Sequence, residues 1–215
     1  MAMDEKRRQK KLARKAAKRK KSLAGKKAFH GPGISVPPEK QVAFVAGMPV
    51  HECLVPRGLF DLGLGSVVVS RRMPNGDIGF AIFLVDVFCL GVKNCLFAVI
   101  PRGEYERKLG DLRQAEGLEP IQPACAVKLV QNAVAYAQDL GLSPHWEYAT
   151  IKKIFGDINP AICPQEFKLG NDGKPRYISG PHETMADSER IVDILNKKLG
   201  PGGFDFMVKA DLQDE

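Results

Sequence analysis

The residues best equipped for chemistry stand between positions 86 and 94. Asp86 interrupts the apolar run FLVDVFCLG (83–91), and Cys89, Gly91, Lys93 and Asn94 follow it closely. An ionised carboxylate among apolar side chains needs hydrogen bonds, a cation or a metal; otherwise it takes up a proton. Two roles fit. In the structural one, Asp86 accepts backbone hydrogen bonds, or pairs with Arg71, Arg72 or Lys93, and holds a sheet together. In the catalytic one, Asp86 works with Lys93 as cation and Asn94 as orienter in metal-dependent hydrolysis of a phosphodiester. A metal normally needs more than one acid or His. Glu52, Asp61, Asp77 and Asp139 are available, but no spacing ties them to Asp86. No metal ligands and no cofactor are assigned, and the structural role is favoured. A purely structural Asp86 should show lost stability on substitution by Asn, roughly 1–3 kcal/mol if a buried partner is left unsatisfied.

Other candidates carry weaker signals. His51-Glu52-Cys53 places three potential ligands together, but neighbours on a strand point to opposite faces. Cys53 and Cys89 lack an adjacent cation or helix N-terminus to lower the thiol pKa, so buried thiols are expected. The five cysteines show no C-x-x-C spacing, which predicts neither a disulfide framework nor a zinc ribbon and suits a reducing, cytoplasmic setting. His145-Trp146-Glu147-Tyr148 could stack on a base or bury against the sheet. Lys174, Arg176, Tyr177 and His182 follow a turn and could touch phosphate or a ring.

Charge is the strongest single feature. Residues 1–30 hold 13 Lys or Arg and two acids, while the rest of the chain holds 19 basic and 23 acidic residues. The net charge of +7 is therefore a tail of +11 joined to a domain of −4. Such a tail binds polyanions by counterion release. The cations expected to contact nucleic acid are Lys6, Arg7, Arg8, Lys10, Lys11, Arg14, Lys15, Lys18, Arg19, Lys20 and Lys21, joined by Lys174 and Arg176. The tail has too few apolar positions to bury a face and is expected to be disordered on its own. The N-terminus has no apolar run like that of a secretory signal, and no stretch is long and apolar enough for a membrane span, so no membrane partner is expected.

The elements that must position these residues follow from pattern. GPGISVPPEK (31–40) is a linker, and the folded domain is expected over 38–215, starting near Gln41. GSVVVSRR (65–72), IGFAIFLVDVFCLG (78–91) and NCLFAVI (94–100) read as strands, the first two joined at Asn75-Gly76, both of which tolerate positive φ. The strand 78–91 is apolar on both faces and is expected to be central. PVHECLVP (49–56) is a short strand or leads into a helix. Helices are expected over 101–115, 123–141, 143–156 and 186–200, a hairpin over 166–180, and a loose end over 202–215. The fold class is α+β, with helices on one face of a mainly antiparallel sheet.

The segments PVHECLV, GSVVVSRRMPNGD, FLVDVFCLGVKN, AVAYAQDLGLSPH and DGKPRYISGP resemble a family of uncharacterised bacterial proteins. The likeness lies in a VD-x-x-CLG-x-KN strand end and a GKP-x-Y-x-x-GP segment, and spans most of residues 49–182. It implies that Asp86, Cys89, Gly91, Lys93 and Asn94 act as one unit, and brings no activity, cofactor or substrate with it. The expectation is a cytoplasmic nucleic-acid-associated protein, bound to RNA rather than DNA or to the ribosome. The alternatives are the Asp86-centred hydrolase and a protein-interaction module whose tail only localises it.

Overall fold

The computed structural model describes residues 38–180 and 183–208; the basic tail with its cations, Pro181, His182 and residues 209–215 lie outside them. Strands β1 (Val50–Pro56), β2 (Leu64–Arg72), β3 (Ile78–Asp86), β4 (Gly91–Ile100) and β5 (Leu118–Pro120) form one sheet in the order β4-β3-β2-β1-β5. Every neighbouring pair is antiparallel. The β2–β3 hairpin runs in register from Arg72–Ile78 to Leu64–Asp86. At its turn positive φ falls on Gly76 alone (+88°). Asn75 instead uses its side chain, accepting the Asp77 N–H at 3.1 Å.

The alternation in β2 and β3 sends two sets of side chains in opposite directions. Val67, Val69, Ala81, Phe83 and Val85 meet Ala126, Leu129, Val130 and Ala133. The latter belong to a long helix, Pro123–Asp139. On the other face Val68, Ile78 and Phe80 meet Tyr105 and Leu109 of the helix Arg102–Glu116. These two residues lie one turn apart and form the apolar stripe of an otherwise charged helix. Helices therefore cover both faces, where the sequence suggested one. Both coverings are needed to explain why β3 is apolar throughout.

Three local expectations change, and one left open is decided. A helix over Pro38–Ala46 precedes the sheet and buries Val42 and Val45, so the expected linker end is already structured. The stretch PVHECLVP is a strand followed by a single helical turn, Leu59–Leu62. The expected helix over 143–156 shrinks to Tyr148–Ile151 and a 3-10 turn at Lys152–Phe155, because the His145 N–H is taken by the Val92 carbonyl at 2.9 Å, which holds the chain extended beside β4. The expected hairpin over 166–180 is only a tight turn closed between Asn171 and Lys174. Its second arm, β6 (Arg176–Ile178), pairs in parallel with β7 (Asp205–Met207), drawn from the expected loose end. A parallel pair needs a crossover, and the helix Met185–Leu199 supplies it.

Two further contacts close the domain. Cys125 and Cys163 form a disulfide, with Cα atoms 5.0 Å apart and a separation of 38 in sequence. This corrects the expectation drawn from cysteine spacing: only the packing of the 160–163 turn on the first turn of the long helix brings the two thiols together. Arg71 is 2% exposed. Its guanidinium donates to the carbonyls of Ile154 (2.8 Å), Met48 (2.6 Å) and Phe155 (2.5 Å). It satisfies carbonyls at the end of the 3-10 turn, where intrahelical donors run out, although Phe155 also accepts the Ile158 N–H at 3.1 Å. Arg71 pairs with Gly79 and Asp86 pairs with Leu64 in the same ladder. Arg71 therefore stands about 24 Å along the sheet from Asp86 and is not its partner.

Candidate functional site

Asp86 ends β3. The chain turns over Val87–Leu90 and re-enters the sheet at Gly91, which sits opposite Asp86. One carboxylate oxygen accepts the N–H groups of Phe88 (3.0 Å) and Cys89 (2.8 Å). A short acidic side chain that bonds the backbone two and three residues on is a turn-former, so this geometry fits the structural role. Asp86 is 6% exposed. Burial raises its pKa from 3.8 to about 6, against the pull of its backbone N–H donors and of Lys93.

The turn is gripped from all sides. Val87 N–H donates to the Gly63 carbonyl at 2.8 Å. The carbonyls of Val87 and Phe88 accept from the N–H groups of Gly170 (2.9 Å) and Arg176 (3.2 Å). Gly91 has φ +66°, and a Cβ there would lie 2.8 Å from the Ala133 carbonyl oxygen. Glycine is thus required both for the turn and for the close approach of the long helix. Among the described residues the buried Tyr136 hydroxyl has no hydrogen-bond partner, and it is packed against Gly170. The segments FLVDVFCLGVKN and GKPRYISG (173–180), far apart in sequence, are therefore one structural unit.

Lys93 belongs to a different part of that unit. Leu84 pairs with Asn94 and Val85 with Val92, so Lys93 is the extra residue of a β-bulge. A bulge re-aims its side chain. The Lys93 ammonium lies 2.8 Å from Glu183 Oε1, with both side chains largely buried. Tyr177, fully buried, donates its hydroxyl to Glu183 Oε2 at 2.6 Å, and Ser188 Oγ lies 2.9 Å from the same hydroxyl. Burial opposes the Glu183 charge, but bonds from Lys93 and Tyr177 hold its carboxyl below the usual range. Asn94 is exposed on the edge strand. Asp86, Lys93 and Asn94 are thus neighbours in sequence with three separate destinations: a turn, an ion pair and solvent. Among the described residues no group of three or more His, Cys, Asp and Glu could hold a metal ion.

The other candidates sort themselves by burial. Glu52 takes the Tyr105 hydroxyl (3.0 Å) and Arg113 (2.6 Å), while Cys53 points into the opposite core. Burial pushes the thiols of Cys53, Cys89 and Cys95 up to about 12, so none is a thiolate at neutral pH. Lys174 pairs with Asp205 at 2.7 Å, and Arg176 is half-buried. His182 lies outside the described residues.

Sequence reasoning left one region unresolved between base stacking and burial, and the structure splits it. Tyr148 is buried, packed edge-on to Phe83. Trp146 is 79% exposed beside a cleft of about 360 Å3. Gln131, Gln138, His145, Trp146, Tyr148 and Lys152 line it. His145 Nδ1 accepts the Glu147 N–H at 3.3 Å, which leaves its proton on Nε2. Cys95 Sγ lies 3.7 Å from the same Nδ1, and Glu147 Oε2 is 4.0 Å from it. Thiol and carboxylate address one nitrogen, so the trio lacks the base-and-orienter arrangement of a cysteine hydrolase. The chain matches no protein-family model, no curated protein and no solved structure.

Proposed function

We propose that this is a nucleic-acid-associated protein, binding RNA in preference to DNA or joining the ribosome, with residues 6–21 as an electrostatic tether. The observation that carries this reading is the division of charge: 13 cations among the first 30 residues against a net −4 in the remainder. A polyanion drawn to the tail is repelled by most of the domain, so only particular surfaces can receive it. Lys174 and Arg176 contribute less than the tail, because Asp205 already neutralises Lys174. Among the described residues no helix is long and apolar enough to cross a membrane. A cytoplasmic site of action follows from the proposed partner; the Cys125–Cys163 bond, of a kind rare in reducing compartments, pulls the other way.

The test is RNA and DNA binding across a salt series, for the full chain and for a chain starting at residue 38. Each phosphate neutralised on a single strand contributes about −0.7 to the slope of log K against log salt. Engagement of half of the tail cations gives a slope of about −4 to −5. The shortened chain should lose most of that slope. A full chain that does not bind RNA at low salt would overturn the reading.

A further inference from the structure

We infer that the cleft beside Trp146 is a subsite for one unpaired base of a single-stranded nucleic acid, with Lys152 placed for the adjoining phosphate. The inference rests on the proposed nucleic-acid reading and names where the folded domain would take part in it. Four features of the cleft converge. Trp146 keeps 79% of its surface in solvent although it is the largest apolar side chain in the protein. An exposed ring of this kind, one end wet, offers a stacking platform that any base can use. Its neighbour His145 lies with ring centroid 5.6 Å away and carries an Nε2 proton that the Glu147 and Cys95 contacts leave unused. Gln131 and Gln138 are exposed and two helical turns apart, hence on one face of the long helix above the cleft. Their amides each donate and accept, the chemistry that reads the edge of a base. Lys152 stands over the Tyr148 ring at 5.5 Å, which holds an exposed ammonium at the rim of the cleft.

The cleft volume, about 360 Å3, is at the small end of the range for ligand sites, roughly 300–1,000 Å3, and suits one nucleotide rather than a long chain. A duplex keeps its bases stacked on one another and cannot present one to Trp146, so the site selects single strands. The tail supplies affinity without preference, and the cleft supplies the preference.

The chain has one tryptophan, so its intrinsic emission reports this cleft alone. The full chain is titrated with a short oligouridylate and with a duplex of similar length, at low and at moderate salt, following both tryptophan emission and the anisotropy of labelled RNA. The single strand should quench the emission saturably and the duplex should not. Trp146→Ala should weaken binding of the single strand about 5- to 150-fold. That factor should persist at moderate salt, because stacking releases no counterions, and the slope of affinity against salt should be unchanged. Trp146→Phe should restore most of the affinity. Exposure of Trp146 means that the Ala variant should unfold at the same urea concentration as the parent. If the full chain binds RNA but Trp146→Ala binds equally well, the cleft is not the subsite while the tether stands. If the full chain does not bind RNA at low salt, both readings fall.

Discussion

Substitution of Asp86 should have an effect on stability whose sign depends on the replacement and on pH. The native pKa of about 6 lies above the reference value of 3.8 because burial disfavours the charged form. Below pH 3.8 the group is protonated folded and unfolded, and the stability attached to its neutral form is fully present. As pH rises through 6 the native carboxyl must ionise in a site that solvates it poorly, and that stability is lost. At about 1.36 kcal/mol per pKa unit the loss is on the order of 3 kcal/mol. Asn keeps the Oδ1 acceptor for the Phe88 and Cys89 N–H groups and never ionises. Asp86→Asn should therefore be close to neutral near pH 4 and more stable than the parent near pH 7.5, by up to about 3 kcal/mol. This reverses the expectation from sequence, which assumed that Asn would leave a buried partner unsatisfied. Asp86→Ala, by contrast, leaves two buried N–H groups without an acceptor and should cost about 1–3 kcal/mol near pH 4. The assay is urea unfolding of the three proteins from pH 4 to 7.5 with the disulfide intact. Other titrating groups, including Glu183, largely cancel in the difference between variant and parent. A difference between Asn variant and parent that stays flat across this window would refute the argument. So would an Asn variant weaker than the parent at pH 7.5, which would mean that the charge itself is needed, most directly by Lys93.

Arg71→Leu should cost about 3–5 kcal/mol in urea unfolding, because the carbonyls of Met48, Ile154 and Phe155 lose their shared donor; a loss under about 1 kcal/mol would mean that water replaces it. Gly91→Ala should cost about 1–3 kcal/mol, since the new methyl meets the Ala133 carbonyl and positive φ is strained for alanine; an unchanged melting temperature would contradict the close approach. Reduction of the Cys125–Cys163 bond, or the double Ser variant, should lower stability by about 2–4 kcal/mol, measured by melting with and without reductant. Glu183 works opposite to Asp86: its lowered pKa adds stability that is present at neutral pH and lost as pH falls through the folded value, so Glu183→Gln should flatten the acid side of the profile.

Local pattern made the core of this protein legible. The alternation of Ala81, Phe83 and Val85 with Phe80 and Ile82, and the helical spacing of Ala126, Leu129, Val130 and Ala133, follow from periods of 2 and 3.6 written in the residues themselves. So does the division of charge between tail and domain, which needs no coordinates. The role of Asp86 was half legible: its oddness in an apolar run was plain, but whether its oxygen faced a metal, a cation or its own turn depended on backbone direction after position 86. What only the tertiary structure decided were the meetings of distant segments. Lys93 turns to Glu183 because a bulge adds one residue to β4, and no local signal marks a bulge. Cys125 meets Cys163 across 38 positions, and β7 comes from an apparently loose end to lie beside β6. The same is true of Trp146: Tyr148, two positions on, is buried, while Trp146 stays in solvent because the His145 backbone is tied to β4 and Trp146 falls outside the short helix. Burial is a property of the surface that a segment packs against, and a segment's own residues do not contain that surface.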